Sequence, residues 1–275
     1  MRKTLILILL IIASISGSYV IDTYNEYKKA VQYYGDIQET YVTIKASPTA
    51  IPTSISVIEN NEVKINNNPV TKNSEPITKR HTTTKKPPIS INFSALRKKN
   101  KDVIGWIYNE GTVINYPIMQ TSNNVYYLRH LTDGSYSVSG SIFLDSINNK
   151  HFLDDNSILY GHHMKNGSMF ASIEKYKKQS YYDEHSELWL LTPKQNYLLM
   201  PFAGLVVTPS REEYFMREFK SEKERKAYVK FALENSSFVG EMAPNAADRI
   251  ITLTTCDYTF KNARFILVCI MLPVV

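Results

Sequence analysis

Cysteine, tryptophan and glycine are scarce in this chain of 275 residues, with two, two and ten copies respectively. Two cysteines are too few for a disulfide framework, and a chain of this length has no need of one. No internal repeat is present, and no His, Cys or carboxylate cluster has the spacing of metal ligands. Motifs typical of RNA or DNA binding are also missing. We therefore predict no metal, no other cofactor and no nucleic-acid partner.

Tyrosine, by contrast, occurs 19 times, and hydrophobic residues make up 43% of the chain. Tyrosine and β-branched residues favour pleated, half-buried surfaces, so the composition predicts a mostly β fold. The formal net charge is +6. Such a charge suits a protein that works beside anionic polymers or lipid headgroups, but it is too small to indicate nucleic-acid binding by itself.

An apolar run lies near the N-terminus, where Arg2 and Lys3 precede residues 5–13. Apolar and small residues continue to Ile21 and approach the roughly 17–25 residues that a membrane-spanning helix needs. A cleaved signal peptide and an uncleaved signal anchor both fit this pattern, and the lack of an Ala-x-Ala site favours an anchor over residues 1–21. The basic residues before the run predict a single-pass cell-membrane protein with a cytoplasmic N-terminus and an extracellular remainder.

Three further segments follow along the chain. Residues 22–42 carry aromatic and apolar side chains at near-helical spacing, which predicts a juxtamembrane helix. Residues 43–88 are rich in Thr, Pro, Asn and Lys and poor in large apolar side chains. Such a composition cannot offset the entropy lost on ordering, so we predict a flexible linker there and a folded domain over residues 89–275.

Short apolar runs separated by Asn, Asp and Gly predict seven or eight strands in this domain. The runs cover residues 103–108, 113–119, 141–144, 157–160, 188–191, 197–207, 250–255 and 265–272. Many short strands with turn signals between them favour a barrel or a sandwich. An apolar stripe among Lys and Glu predicts one clear helix over residues 217–235.

Cys256 lies at the end of a predicted strand, and a loop over residues 257–263 leads to Arg264 at the start of the next strand. If these strands pair antiparallel, Cys256 and Arg264 are cross-strand neighbours on one face. Cys269 would then pair near Ile251 and point to the opposite face, too far away for a disulfide. A slip of one residue in register would reverse this assignment.

Cys256 is therefore predicted to be a free thiol beside a guanidinium. A free thiol titrates near pH ~8.5, and a neighbouring cation raises its nucleophilic thiolate fraction. An inert structural cysteine fits the spacing equally well. Acyl transfer would also need an acid for the leaving amine. His162 and His163 follow a predicted strand and a glycine, at a position where side chains can face a cleft.

Six stretches carry a family resemblance when they are taken together and in order. They are NKDVIGWI from residue 100, INYPI from 114, NNVYYL from 123, GSIFLD from 140, LYGHHMK from 159 with SMF from 168, and LTTCD from 253 with Arg264. Together they resemble class B sortases, which are cysteine transpeptidases, over residues 93–272. One departure is LTTC at residues 253–256, where the family usually has LSTC. The added methyl group lies beside the groove and affects the expected substrate preference more than the chemistry.

The resemblance implies an eight-stranded sortase-type β-barrel with an N-terminal helix and a long helix between strands six and seven. It implies that Cys256 is the nucleophile and that His162 is the acid/base. It also implies that Arg264 orients the substrate and stabilises the oxyanion, which suits a permanently charged donor fork.

The resemblance also implies a substrate groove. Asn124 and Leu128 match positions of the class B groove, as does Thr254, two residues before the cysteine. These three residues are the expected substrate-binding positions.

The implied reaction cleaves a C-terminal sorting motif after threonine through a thioester on Cys256. An amine of the peptidoglycan precursor or its cross-bridge then takes the acyl group. The implied partners are surface proteins with such a motif, the wall precursor and, through the N-terminal anchor, the membrane. Three alternatives are a pilin-polymerising sortase, a cysteine hydrolase of the same fold, and a wall-binding module whose cysteine is structural.

Overall fold

The computed structural model describes residues 2–45, 79–208, 212–257 and 262–275. The chain begins with a helix, α1 (Arg2–Tyr41), followed by strand β1 (Val42–Ile44). Strand β1 pairs antiparallel with β2 (Ile89–Ile91). A short helix, α2 (Phe93–Lys99), comes next. It begins at Asn92, whose side chain accepts a hydrogen bond from the Ala95 amide at 3.1 Å and so caps the first turn.

Eight strands close into a barrel. They are β3 (Val103–Tyr108), β4 (Asn115–Met119), β5 (Ile142–Leu144), β6 (Asn156–Tyr160), β7 (Leu188–Leu191), β8 (Tyr197–Val207), β9 (Arg249–Cys256) and β10 (Arg264–Pro273). The order around the barrel is β10-β8-β7-β3-β4-β5-β6-β9, with parallel pairing between β4 and β5 and between β6 and β9. Closure leaves no unpaired edge in this sheet. The predicted mostly β fold and eight-stranded barrel are confirmed.

Two more helices connect barrel strands. Helix α3 (Gln179–Glu184) precedes β7, and α4 (Glu222–Glu234) lies between β8 and β9, the sixth and seventh barrel strands. The predicted long helix is therefore confirmed, although it begins five residues later than the apolar stripe indicated. Ser221 caps its first turn by accepting a hydrogen bond from the Glu224 amide at 3.2 Å. The preceding Phe219 amide instead donates to Asp155 Oδ2 at 3.0 Å, which holds that residue outside the helix.

The last strand, β10, is buried on both faces, which explains its nearly continuous apolar sequence. Phe265, Leu267 and Cys269 join one apolar cluster, which includes the 3-10 helix Ala171–Lys177. The alternate residues of β10 join a second cluster, which includes side chains of α2 and α4. Because successive side chains of a strand point to opposite faces, each cluster takes every second residue.

The C-terminal part of α1 packs against the barrel. Ala30, Tyr34 and Ile37 are buried and lie on one face of the helix. The Tyr34 hydroxyl donates to the Gly140 carbonyl at 2.7 Å, and the Tyr34 ring meets the Tyr116 ring edge-on at 5.1 Å. The N-terminal helix that the family resemblance implies is therefore present.

The prediction of a single-pass cell-membrane protein is wrong. In the described part of the chain, no helix has the length and apolar character needed to cross a membrane. The uninterrupted apolar run covers only residues 5–13, and Ser14, Ser16, Gly17 and Ser18 follow it. A span needs roughly 20 predominantly apolar residues. Helix α1 continues without a break through residue 21, where the anchor was predicted to end.

Residues 46–78 of the predicted linker lie outside the described residues, but residues 79–88 contact the barrel. The Arg80 side chain donates to the Ala247 carbonyl at 2.8 Å. His81 Nδ1 lies 2.6 Å from Asp248 Oδ2, and the Thr83 amide donates to the Pro273 carbonyl at 3.0 Å. These long-range hydrogen bonds hold residues 79–88 against the folded domain. The polar composition of these residues predicts a flexible linker, so this part of the prediction does not hold.

We predict that Tyr34→Phe destabilises the protein by about 1 to 2 kcal/mol, because the buried Gly140 carbonyl loses its donor while the aromatic packing is retained. Urea unfolding followed by tyrosine and tryptophan fluorescence measures the change. Tyr24→Phe on the same helix is the matched control, since Tyr24 is 65% exposed. Equal effects of the two substitutions would show that α1 is not held to the barrel in this way.

Candidate active site

Strands β6, β9 and β10 are adjacent in the barrel, and their registers bring three reactive side chains together. Antiparallel pairing places Arg264 directly opposite Cys256. Parallel pairing places Tyr160 beside Thr254. Continuing that register by two residues puts His162 beside Cys256, on a neighbouring strand about 4.8 Å away. The three side chains therefore share one face at one end of the barrel.

The segment after β6 is fixed by close packing and by hydrogen bonds to β9. A Cβ atom at Gly161 would lie 2.5 Å from Ile142 Cδ1 and 2.6 Å from the Phe170 ring, so the position has no room for a side chain. The Gly161 amide donates to the Thr254 carbonyl at 3.1 Å, and the Thr255 hydroxyl donates to the Gly161 carbonyl at 2.8 Å. These contacts hold the backbone of His162 against the end of β9.

The imidazole of His162 is oriented by the backbone of Leu128. His162 Nε2 lies 2.8 Å from the Leu128 carbonyl oxygen, which requires the hydrogen on Nε2. In the neutral ring, Nδ1 is then free to accept a proton. Burial lowers the pKa of His162 below its ordinary value of 6.5, against the effect of the Leu128 carbonyl. The positive charges of Arg129 and Arg264 lower this pKa further.

Cys256, His162 and Arg264 line one cavity of about 1230 Å³, which we call the Cys256 cavity. The three predicted substrate-binding residues line the same cavity: Asn124, Leu128 and Thr254. The six predicted site residues therefore meet in one place, whereas His163, the other candidate acid, does not line this cavity. Their individual roles remain predictions at this point.

Thr254 and Thr255 precede the cysteine, and alternation along β9 directs their side chains to opposite faces of the strand. Thr254 is on the face of Cys256 and is 4% exposed. Its hydroxyl has no hydrogen-bond partner among the residues that the structure describes. A buried hydroxyl without a partner is costly, so this group is available to a ligand in the cavity.

The buried carboxylate of Asp145 organises the wall of the Cys256 cavity. Asp145 Oδ2 accepts hydrogen bonds from Asn124 Nδ2 and from the Tyr160 hydroxyl, both at 3.0 Å. Asp145 Oδ1 accepts from the Ile147 amide at 3.0 Å and lies 3.9 Å from Arg217 Nη1. One carboxylate thus connects β6, the segment that carries Asn124, and the connection between β8 and α4.

A second polar network holds the other side of the nucleophile segment. His163 Nδ1 lies 3.1 Å from the Cys256 carbonyl oxygen and 3.2 Å from Glu174 Oε2. Lys177 Nζ bridges Glu174 Oε1 at 2.7 Å and Asp257 Oδ2 at 2.5 Å. The carboxylate of Asp257, directly after the cysteine, is fully buried. The network therefore ties the end of β9 to the 3-10 helix Ala171–Lys177.

Sequence reasoning missed Asp145, Glu174, Lys177 and the wall residues Phe215–Glu218 of the Cys256 cavity. The first lies within the stretch GSIFLD, but nothing in its spacing indicates which residues it contacts.

Within the described ranges, no group of three His, Cys, Asp or Glu side chains is placed to hold a metal ion. The two cysteines are unpaired, with Cys256 partly exposed and Cys269 buried.

Known proteins match both the sequence and the fold. A family model described as the sortase domain matches residues 107–271. Sortase B of Listeria monocytogenes serovar 1/2a is 36% identical over 176 residues, covering 64% of this chain and 71% of that protein. Sortase B of Staphylococcus aureus is 33% identical over 178 residues, covering 64% and 72% respectively. A solved Staphylococcus aureus sortase B–substrate complex superposes with a TM-score of 0.63 at 32% identity, covering 66% of this chain and 85% of that one.

A closed eight-stranded barrel with this family match defines a cysteine transpeptidase. The chain belongs to the sortase family, and its relatives place it in class B. The family resemblance stated from the six sequence stretches, and the enzyme class that it implied, are confirmed.

We predict that the imidazole of His162 titrates below pH 6.5, because burial and two guanidinium groups disfavour its charged form. The unfolded chain then binds more protons than the folded one below that pH. The contribution of His162 to the free energy of unfolding therefore falls as pH drops through 6.5, and the fall ends below the folded pKa. NMR titration of the imidazole protons, assigned with His162→Gln, gives this pKa.

The same titration tests how close the Arg264 guanidinium lies to the His162 imidazole. Arg264→Gln removes a positive charge that acts on the ring, so the pKa of His162 should rise in that variant. Arg97→Gln, on the exposed surface of α2, is the control and should leave the midpoint unchanged. A midpoint above 6.5 in the unmodified protein, or no response to Arg264→Gln, would contradict the described geometry.

We predict that Asp145→Asn raises the KM for a peptide substrate by about tenfold, because the charge-assisted hydrogen bonds that hold Asn124 and Tyr160 in the wall of the Cys256 cavity are weakened. Steady-state kinetics measures the change. Iodoacetamide should alkylate Cys256 at the same rate in this variant as in the unmodified protein, since the substitution does not change the thiol. The matched control is Asp133→Asn, an exposed carboxylate that bonds only locally to Ser135 in the described contacts. Equal slowing of alkylation and turnover would indicate a merely structural defect.

Proposed function

We propose that this enzyme cleaves a C-terminal sorting motif of surface proteins after threonine and joins the threonine carbonyl to an amine of the cell-wall precursor. We assign Cys256 as the nucleophile, His162 as the acid/base and Arg264 as the oxyanion donor. Asn124, Leu128 and Thr254 are assigned to substrate binding. The observation that carries the proposal is the convergence of all six side chains on the Cys256 cavity.

The first step forms the thioester. His162 Nδ1 takes the thiol proton, and the sulfur of Cys256 attacks the threonine carbonyl carbon. The new C–S bond moves charge onto the carbonyl oxygen, which the guanidinium of Arg264 stabilises. When the C–N bond breaks, the protonated His162 returns its proton to the leaving amine. The neutral imidazole that burial favours in the resting enzyme is the form needed to accept the thiol proton.

The second step resolves the thioester. The acceptor amine attacks the same carbonyl carbon and loses a proton to His162, and the C–S bond then breaks. The sulfur leaves and regains its proton from His162, so the free enzyme is restored with a new amide bond. Water competes with the amine in this step, and a groove that limits water access favours transfer over hydrolysis.

The experiment is to incubate the full chain with a library of quenched pentapeptides that end in Thr-Gly or Thr-Asn. Mass spectrometry reads the acyl adduct on Cys256, and fluorescence reads turnover. We expect Cys256→Ala and His162→Ala to abolish turnover. Arg264→Lys should lose about 100-fold or more, because the planar donor fork is lost.

Cys269→Ala is the matched control, since Cys269 is buried on the opposite face and should not be required for turnover. Near-normal rates in Arg264→Lys would remove the arginine from the mechanism. Rapid release of free threonine-ended product, even with acceptor amines in excess, would identify a hydrolase instead. Loss of the adduct in Cys269→Ala but not in Cys256→Ala would refute the assigned nucleophile.

A further inference from the structure

A second cavity, of about 800 Å³, lies beside the segment that carries His163, and we call it the lysine cavity. It is formed by the β3–β4 connection, the segment after β6, the 3-10 helix Ala171–Lys177 and the start of α3. Glu174 is the one carboxylate among its described lining residues. The lining contains six basic side chains: His163, Lys165, Lys175, Lys177, Lys178 and His185.

The single carboxylate of the lysine cavity is already engaged. Glu174 contacts Lys177 at 2.7 Å and His163 at 3.2 Å. The acidic residues Asp183 and Glu184 of α3 are close in sequence, but they do not line the cavity. Three exposed lysines, at positions 165, 175 and 178, therefore give this concave surface a positive charge beyond what its own carboxylate balances.

This arrangement fits an anion better than a neutral ligand. Like charges around a concave surface focus a field that attracts counter-ions. Lysine acts on phosphate as a point charge, and a phosphate group carries about −1.5 to −2 charges at pH 7. The aromatic ring of Tyr181 forms part of the wall, with Lys175 Nζ at 5.6 Å from its centroid and the His185 ring at 4.4 Å. A carboxylate, with one charge, would neutralise less of this surface.

The lysine cavity and the Cys256 cavity share one wall. His162 lines the Cys256 cavity, whereas the next residue, His163, lines the lysine cavity. His163 Nδ1 lies 3.1 Å from the carbonyl oxygen of Cys256 itself. A ligand in the lysine cavity is thus held beside the backbone of the nucleophile. For an acceptor held here to react, a short spacer must carry its amine to the thioester carbon.

We infer that the lysine cavity binds the anionic group, above all a phosphate, of the amine acceptor that resolves the thioester. The inference rests on the proposed function, because it names the chemistry of the second substrate of that reaction. The bound anion contributes affinity for the acceptor and takes no part in forming the thioester.

Three acceptors of equal length test this inference with the full-length enzyme and an active sorting peptide. They are triglycyl-O-phosphoserine amide, triglycyl-aspartate amide and triglycyl-serine amide. We expect the phosphoserine acceptor to have the highest kcat/KM for aminolysis of the acyl-enzyme. Combining Lys165→Gln, Lys175→Gln and Lys178→Gln should lower that value roughly tenfold, because three exposed charge interactions are lost. The serine acceptor should change less than twofold.

A matched variant removes the same charge elsewhere. This control combines Lys98→Gln, Lys101→Gln and Lys194→Gln, at exposed positions outside the lysine cavity. It should leave the kcat/KM of all three acceptors unchanged. Equal losses for the phosphoserine and serine acceptors, or equal losses in the two triple variants, would overturn the inference. An aspartate acceptor as good as the phosphoserine acceptor would overturn the assignment to phosphate.

A binding measurement separates this inference from the proposed function. Phosphorus NMR follows triglycyl-O-phosphoserine amide as the Cys256→Ala protein is added, with no chemistry involved. Line broadening that disappears in the triple variant of the lysine cavity supports the site, whether or not acyl-enzyme forms in the unmodified protein. No broadening at millimolar concentrations, with acyl-enzyme formation intact, overturns the site and leaves the proposed function standing.

Discussion

The register of three neighbouring strands is the constraint on which the rest of the site depends. Pairing of β9 with β10 fixes Arg264 opposite Cys256, and pairing of β6 with β9 fixes Tyr160 beside Thr254. The first pairing spans eight residues and the second spans five, with apolar side chains buried on both faces of β10. A slip of one residue would carry the whole apolar set to the wrong face, so core packing and site geometry are specified together.

Alternation along the chain then separates two environments that lie side by side. His162 faces the Cys256 cavity and His163 faces the lysine cavity, although they are adjacent in sequence. A polar network supports each side, with the buried Asp145 on the first and the partly exposed Glu174 and Lys177 on the second. The nucleophile segment is therefore held between the Cys256 cavity and the basic lysine cavity.

Much of the fold was predictable because it follows from local signals. Apolar runs located all eight barrel strands within a few residues, and the assumed hairpin register for Cys256, Arg264 and Cys269 is confirmed. The features that were not predicted depend on contacts between residues far apart in sequence or on the extent of an apolar segment. Residues 79–88 have the composition of a linker, yet His81 pairs with Asp248, a partner far along the chain. The apolar run near the N-terminus predicted a membrane span, whereas no helix in the described part of the chain is long and apolar enough for one. The partners of Asp145 come from segments that no local pattern connects.

The proposed mechanism requires the sulfur of Cys256, the imidazole of His162 and the guanidinium of Arg264 to converge on one reacting carbonyl. A crystal structure with a sorting-peptide analogue linked covalently to Cys256 measures this most directly. We predict that the substrate carbonyl oxygen lies within hydrogen-bond distance of the Arg264 guanidinium and that His162 Nδ1 faces the sulfur. An Arg264 side chain directed away from that oxygen, or a His162 ring on the far side of the wall, would contradict it.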